Sequence, residues 1–269
     1  MDIQYASLPY ALSEVRHSYG PRVHILSHPT LMTILAKVCS PDTHQPEMAR
    51  LTGTLYHQMA MAVANAEFPR VTARIPTRMA AKHKREGVYE GQVLDPATRI
   101  VCVDIARAGM MPSQTCFETF CNLVHHRNVR QDHIFMQRVT KRGRVVGVDL
   151  SGSKIGGTIG GRILVIPDPM AATGSSMLEC LDHYARLKIG TPAKVVAMHV
   201  IVTPEYVRRI HEADPDVIIY AIRLDRGLSP KAAFATRPGE RADERGLNGS
   251  QYIVPGGGGF GELLNNAED

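Results

Sequence analysis

The chain has 269 residues, of which 44% are hydrophobic and 21% are charged, and its formal net charge is +5. This balance fits a soluble globular protein with one sizeable core, and no apolar run approaches the roughly 20 residues that a membrane-spanning helix needs. The N-terminus lacks a basic start followed by an apolar stretch, which argues against a signal peptide. The five cysteines form no C-x-x-C pair, and their odd number favours a reducing, cytoplasmic location.

The mild basic excess does not by itself indicate a nucleic-acid partner. The basic residues are scattered and the chain has no Trp. A highly anionic small substrate explains the charge equally well. We therefore expect neither nucleic acid nor a membrane as a partner.

The first third of the chain predicts an arm followed by two helices. Residues 1–20 are expected to form a loose N-terminal arm, and residues 21–269 a single domain. Two helices are expected next, and apolar residues at helical spacing predict the second, from about Pro46 to Phe68, whose stripe belongs in the core or a subunit interface. A basic helix or loop continues to about residue 89, and its cluster is typical of a solvated helix face: Arg74, Arg78, Lys82, His83, Lys84 and Arg85.

After a turn at Gly91–Thr98, apolar strand candidates alternate with helices. Continuous apolar strands in such an alternation indicate a buried parallel sheet. A hairpin arm is expected from Arg142–Gly147 with Val148–Leu150. The fold prediction is α/β, a mostly parallel central sheet flanked by helices, with a small hood and a β-arm. The strand candidates are Ile100–Ile105, His133–Val139, Arg162–Ile166, Ala193–Val202 and Val217–Leu224.

The segment from residue 162 to residue 187 carries the clearest chemical signal. An apolar run ends in Asp168, a turn of small and hydroxyl residues follows, and Met177–Leu187 predicts a helix. The first amides of a helix lack internal partners and its dipole favours anions, so the segment predicts a phosphate site. An ordinary strand–helix turn with a serine N-cap is the alternative. The residues expected near the inner helix face are Leu178, Leu181, Ala185 and Leu187.

Two other phosphate-binding motifs are excluded. The chain contains no G-x-x-x-x-G-K-[ST], and no G-x-G-x-x-G opens a helix after a strand.

Ligands of parallel α/β sheets bind beyond the carboxyl ends of the strands, where Asp168 and Arg107 both fall.

The C-terminal part contains an insertion at about residues 230–247, rich in Pro, Gly and charge, which is expected to be exposed in the C-terminal hood. The glycine run Gly256–Gly259 fits either a functional loop or a plain flexible tail. The preceding Tyr252-Ile-Val-Pro favours the loop.

Asp168–Ser176, Asp-Pro-Met-Ala-Ala-Thr-Gly-Ser-Ser, resembles the phosphoribosyl-pyrophosphate (PRPP) loop of the uracil phosphoribosyltransferase family, Asp-Pro-Met-Leu-Ala-Thr-Gly-Gly-Ser. Ile100–Gly109 resembles the family's strand ending in Arg-Ala-Gly, and His133–Arg138 its next strand, which also ends in Arg. From Lys154 to Asp168 the chain aligns with the family pattern Lys…Arg…Asp-Pro-Met without a gap, which places Lys154 and Arg162 on the family's basic positions. The resemblance, which implies a type I phosphoribosyltransferase fold, covers all but about the first twenty residues and the insertion.

The resemblance implies an enzyme that joins uracil to PRPP with Mg²⁺, giving UMP and pyrophosphate. Asp168 would accept hydrogen bonds from the ribose hydroxyls, and Arg107 would hold the pyrophosphate, assisted by Arg138. Asp168 and Arg107 are the catalytic candidates, and no metal-ligating residue is assigned. Taken alone, Arg107 also fits a surface cation and Arg138 a solvated arm. The expected PRPP-binding residues are Arg107, Arg138, Asp168, Pro169, Met170, Ala171, Ala172, Thr173, Gly174, Ser175 and Ser176.

In the family the uracil edge is read mainly by backbone groups, whose matching positions here are Ile253, Gly258, Gly259 and Phe260. The chain departs from the family at this segment. Gly259 replaces an Asp, Phe260 a small residue, and Glu262 a second Asp. We hypothesise that Glu262, Asp225 or Asp243 supplies the missing carboxylate.

These departures keep two other functions open. One is a phosphoribosyltransferase for a different base or a specialised acceptor, and the other is a non-catalytic PRPP- or nucleotide-sensing homologue. Retention of Arg107, Asp168 and Thr173 argues against the sensor, which need not keep a leaving-group site. The resemblance also implies a homodimer or homotetramer, with GTP as an effector of some members.

Overall fold

The computed structural model describes residues 2–141 and 144–267, without the side chains of residues 138, 140, 141 and 144–146. A sheet of eight strands forms its centre, with the order β1-β10-β9-β7-β4-β5-β6 and the short β8 paired with β9. The strands are β1 Val23–Ile25, β2 Arg70–Pro76, β3 Val88–Leu94, β4 Ile100–Ala106, β5 Val129–Lys141, β6 Arg144–Lys154, β7 Ile163–Pro167, β8 Met170–Ala171, β9 Lys194–Val202 and β10 Ile218–Leu224.

The central sheet is mostly parallel, as predicted. Every neighbouring pair in it is parallel except β5 with β6, which form the antiparallel arm. An arm is present, but the predicted pairing of Arg142–Gly147 with Val148–Leu150 is wrong, because residues 144–150 lie in the single strand β6 and pair with β5. Residues 142 and 143 lie outside the described residues. Strand β4 is buried along its length to Ile105, which explains its continuous apolar sequence.

Helices cover both faces of the sheet and enclose two hydrophobic cores. Helices α1, α2 and α3 bury one face, and α4 and α5 bury the other. None of the described helices is long and apolar enough to cross a bilayer. The helices are α1 Pro29–Val38, α2 Glu47–Glu67, α3 Met110–Leu123, α4 Ser175–Leu187, α5 Pro204–Ala213 and α6 Phe260–Leu263.

Helix α2 confirms that the apolar stripe of the second predicted helix belongs to the core. Met48, Leu55 and Met59 have no exposed surface. Full burial of each such side chain contributes about 1.5–3 kcal/mol to stability, so this helix anchors the sheet face behind the site.

The inner face of α4 differs from the expectation. Met177, Cys180 and Tyr184 are buried, whereas Leu178 is half-buried and Leu187 is exposed. The tyrosine hydroxyl donates to Oδ2 of the buried Asp132 at 2.8 Å. The inner face of α4 thus combines apolar side chains with a polar contact, which the spacing of the leucines does not reveal.

The basic cluster is exposed, as expected, and of the predicted helix or loop the structure has neither an α-helix nor a simple loop within these described residues, but a hairpin. Arg74 lies in β2, which pairs antiparallel with β3 in a separate two-stranded sheet. Val71, Ala73 and Ile75 alternate with polar residues, which is the period of a strand. The rest of the cluster lies on a short 3₁₀ helix and the turn that joins the two strands.

The insertion is mostly exposed, as expected, but it carries one buried carboxylate. Glu244 is 1% exposed and accepts hydrogen bonds from Tyr19 Oη at 2.6 Å, Arg226 Nη1 at 2.6 Å and Gly239 N at 2.9 Å. The N-terminal arm also pairs with the domain, since Glu14 forms a β-bridge with Leu26. Arm and insertion therefore pack against each other.

Strands β4 and β7 are direct neighbours, with Ile100 opposite Ile163. Arg107 follows the last residue of β4, and Asp168 follows the last residue of β7. The sheet thus brings both catalytic candidates to one edge, as predicted.

Candidate active site

The predicted PRPP loop leaves the sheet at Asp168, which is half-buried. The short strand β8 continues the path and pairs with the end of β9. Thr203, the N-cap of α5, donates from Oγ1 to Ala172 O at 2.7 Å and from its backbone N to Ala171 O at 3.2 Å. The loop backbone is therefore fixed on the side that faces α5.

The turn into α4 requires a glycine. Gly174 has φ of +81°, in the left-handed region, and a Cβ there would lie 3.2 Å from Ile210 Cδ1. Thr173 Oγ1 lies 3.1 Å from Ser175 Oγ and accepts the Ser175 amide at 3.4 Å. Ser175 and Ser176 are the first two residues of α4. The loop thus presents hydroxyls and the first-turn amides of α4 together, the donor set that suits a phosphate.

Sequence reasoning missed His199, which holds the backbone of Asp168. His199 Nδ1 lies 2.6 Å from Asp168 O, and Nε2 lies 2.7 Å from Tyr206 Oη. A carbonyl can only accept, so Nδ1 carries the proton and Nε2 accepts from the tyrosine hydroxyl. The one signal in the sequence that could have indicated this residue is its position as a lone polar residue near the end of an apolar strand.

The buried imidazole makes stability depend on pH. Burial lowers the pKa of His199 to about 4, from 6.5. The unfolded chain therefore takes up this proton at higher pH than the folded chain, so the stabilisation is complete above pH 6.5 and is lost as pH falls towards 4. A shift of this size corresponds to about 3 kcal/mol.

We expect His199→Asn, which keeps a donor for Asp168 O but does not titrate, to reduce the loss of unfolding free energy between about pH 7.5 and about pH 4.5. Urea unfolding of both proteins across this range measures the difference. Parallel pH curves for the two proteins would contradict this assignment.

Arg107 begins the second loop, after a cis Ala106–Arg107 peptide bond. Its side chain is half exposed, and Nη2 donates to Glu262 Oε1 at 2.9 Å. A Cβ at Gly109 would lie closer than 3.0 Å to the Ile105 backbone and 3.1 Å from Pro167 O. The absence of a side chain at Gly109 therefore lets the Arg107 loop contact the residue that precedes Asp168.

The side chain of Arg138 lies outside the described residues. Its backbone is on β5, opposite Val148 of the arm. Its proposed contact with pyrophosphate stays a prediction.

The segment matched to uracil recognition is anchored. The Gly256 amide donates to Asp225 Oδ2 at 2.7 Å, and Arg223 Nη2 donates to Gly256 O at 2.9 Å. Phe260 is 1% exposed, with its ring in the core. A Cβ on Gly261 would lie 3.8 Å from Ala108. The flexible-tail alternative is therefore wrong. The region that follows β10, residues 225–264, forms the hood and touches the Arg107 loop.

Burial of the Phe260 ring leaves only backbone groups at this position for a ligand. Ile253 is half-buried, and Gly258 has φ of +79°. Recognition of a base through backbone groups is compatible with Phe260 in place of the family's small residue, because the ring points into the core.

Of the three carboxylates considered as replacements, Glu262 is the one in contact with the Arg107 loop. Asp225 is buried and paired with Arg223 at 2.6 Å, and Asp243 pairs with Arg241 on the surface. A Cβ at Gly259 would lie closer than 3.0 Å to Glu262 Oε2. The glycine thus leaves space that the glutamate carboxylate fills.

A cavity of about 300 Å³ adjoins the PRPP loop. Thr173 and Ser175 line it from the loop, and Glu205 and Arg209 from α5. The size is at the lower end of the usual range for small-ligand pockets.

Comparison with known proteins agrees with this geometry. A sequence model described as uracil phosphoribosyltransferase matches residues 25–244, which is most of the chain. The chain belongs to the uracil phosphoribosyltransferase family. It is therefore an enzyme of the pentosyltransferase class, and the resemblance in its sequence motifs is confirmed.

Named relatives lie at moderate distance within this family. Uracil phosphoribosyltransferases of Staphylococcus aureus strains Newman and N315 are each 28% identical over 224 residues, covering 82% of this chain and 96% of theirs. The solved AQ2163 protein of Aquifex aeolicus superposes with a TM-score of 0.68 at 22% identity, covering 90% of this chain and 97% of that one. This superposition confirms the fold.

Proposed function

We propose that this member of the uracil phosphoribosyltransferase family transfers the 5-phosphoribosyl group of PRPP to uracil, giving UMP and pyrophosphate. The adjacency of the Asp168 and Arg107 loops at the carboxyl edge of β7 and β4 is the observation that carries the proposal. PRPP bears a phosphate at C5 and a pyrophosphate at C1, so its enzyme needs two anion sites either side of a ribose. The two loops provide this pair.

In the proposed reaction a bond forms between a uracil nitrogen and C1 of the ribose. The C1–oxygen bond to pyrophosphate breaks, with its electron pair leaving on the pyrophosphate, and the nitrogen proton passes to water. Asp168 binds the ribose hydroxyls and fixes the sugar, while Arg107 stabilises the charge that grows on the leaving oxygens. The anchored hood covers the base and excludes water.

Mg²⁺ bound with PRPP would neutralise charge at the leaving group. Within residues 2–141 and 144–267 no three His, Cys, Asp or Glu side chains cluster as a metal site. Mg²⁺ is commonly bound through one or two carboxylates together with substrate phosphates and water. Asp168 and Glu262 are the carboxylates proposed to face it.

We further propose that Glu262 replaces the acid that Gly259 lacks. If so, Glu262→Gln lowers by about 10-fold the factor by which Mg²⁺ tightens PRPP binding, a size typical of lost metal-orienting groups. Calorimetric titration of PRPP with and without Mg²⁺ gives this factor directly.

Asp243→Asn is the matched control, because it removes an exposed carboxylate from the insertion. It should leave the Mg²⁺ factor unchanged. If Mg²⁺ tightens PRPP binding to Glu262→Gln as much as to the parent protein, Glu262 does not replace the missing acid. Asp225→Asn is then tested in the same way.

The alternative acceptor is motivated by the replacement of two family positions, at Gly259 and Phe260. Equal concentrations of uracil, other pyrimidines and purine bases should compete for limiting PRPP. Uracil nucleotide as the main product supports the proposal, and a different nucleotide supports the alternative. Binding of PRPP without release of pyrophosphate in the presence of every base would indicate the sensor.

Assembly into a homodimer or homotetramer and an effector role for GTP stay predictions from the family, as does a cytoplasmic location. All five cysteines are free thiols, which agrees with the absence of a C-x-x-C pair.

A further inference from the structure

Helix α5 presents an arginine beside the PRPP loop. Tyr206, Val207 and Ile210 bury the inner face of the helix, and Ile210 packs against Gly174. Helical geometry then places Arg209, next to Ile210, at the exposed rim of the loop.

Arg209 is already oriented by the loop. Its Nη1 donates to Thr173 O at 2.9 Å and to Ser175 Oγ at 2.9 Å. Its Nε and Nη2 have no hydrogen-bond partner within the described part of the chain. The guanidinium is a planar fork of five donors, so a group held through Nη1 keeps two further donor atoms for a ligand.

The nearby carboxylate does not neutralise this charge by direct contact. Both oxygens of Glu205, one turn earlier on α5, accept backbone amides: Gly246 N at 3.0 Å and Leu247 N at 3.2 Å. Glu205 thus ties the hood to α5. Arg209 and the loop hydroxyls face the 300 Å³ cavity together.

We propose that Arg209 is a binding residue for the 5′-phosphate of the ribose. This inference rests on the proposed function, because it assigns one phosphate of PRPP to this loop. Amides and hydroxyls provide the shape of the site, and Arg209 adds a permanent positive charge. Hydrogen bonds between charged partners are about twice as strong as neutral ones, and a donor group that is already positioned loses less entropy when the ligand binds. Arg209 therefore favours phosphorylated over unphosphorylated ribose.

The test compares two anions that occupy different halves of the site. Ribose 5-phosphate reports on the PRPP loop, and pyrophosphate reports on the Arg107 loop. Arg209→Gln should weaken ribose 5-phosphate binding about 10-fold, the loss expected for a charge-assisted bond, and leave pyrophosphate binding unchanged. Calorimetry measures both. With PRPP and uracil the same variant should raise KM for PRPP by a similar factor, with kcat nearly constant.

Two further variants separate binding from a structural role. Arg209→Lys keeps the charge and should recover part of the ribose 5-phosphate affinity. Arg186→Gln removes one positive charge from the exposed C-terminal end of α4 and should change neither affinity.

Equal weakening of both ligands, or of neither, would overturn the proposal, as would a wild-type protein that does not bind ribose 5-phosphate. Selective loss of ribose 5-phosphate in a protein that makes no UMP would leave Arg209 assigned and refute uracil as the acceptor. UMP synthesis with no selective loss would refute the role of Arg209 alone.

Discussion

Asp168→Asn is expected to lower kcat by about 10²–10³-fold, the range found when a preorganised polar contact to a reacting group is removed. Asn has the same shape and cannot carry the negative charge. Asp168 follows β7 directly, and its backbone carbonyl accepts a hydrogen bond from His199. The backbone conformation at this residue therefore does not depend on the carboxylate. Steady-state assays with PRPP and uracil measure the effect.

The control for Asp168→Asn is Asp182→Asn, an exposed carboxylate on α4. It should have wild-type kcat. Thermal unfolding of both variants should match the parent, which separates lost chemistry from lost structure. Wild-type turnover in Asp168→Asn would remove this residue from the site.

Arg107→Ala is expected to lower kcat/KM for PRPP by about 10²-fold, because a charge-assisted contact to the leaving group is lost. Pyrophosphate should also become a weaker product inhibitor. The folded state should change little, since Arg107 and Glu262 form a partly exposed ion pair, and such pairs contribute about 0–1 kcal/mol.

Arg107→Lys distinguishes charge from geometry. Lysine keeps the positive charge but offers no planar fork, so we expect activity between those of Ala and the parent. Equal pyrophosphate inhibition in Arg107→Ala and the parent protein would contradict a leaving-group site in this loop.

The sequence predicted the sheet and the shared edge on which Asp168 and Arg107 lie because both depend on strong local patterns. Continuous apolar strands such as β4 and β7 identify a parallel sheet, and the residues at their carboxyl ends then share an edge. The motif around Asp168 added the chemistry. These features need no knowledge of distant contacts.

Elements that depend on distant contacts were the ones missed. Glu244 is buried because Tyr19, more than two hundred residues away, donates to it. The face of α4 follows a hydroxyl contact to Asp132. Polar contacts of this kind join residues far apart in the sequence, so the local spacing of apolar residues does not reveal them.

Two site residues show the same limit. His199 looks like an interruption of an apolar strand, and Arg209 like a solvated charge on a helix. Each contacts the loop that folds against it: His199 contacts Asp168 O, and Arg209 donates to Thr173 O, the contact on which its proposed phosphate role rests. Glu262 was among three candidates, and its contact with Arg107 distinguishes it from the other two.

The central claim is that this chain joins uracil to the ribose of PRPP. The most direct measurement follows UMP and pyrophosphate together after purified protein is mixed with Mg²⁺, PRPP and uracil. We predict that both form in equal amounts and that neither forms without uracil. PRPP that stays intact while bound, or pyrophosphate released without UMP, would contradict the claim.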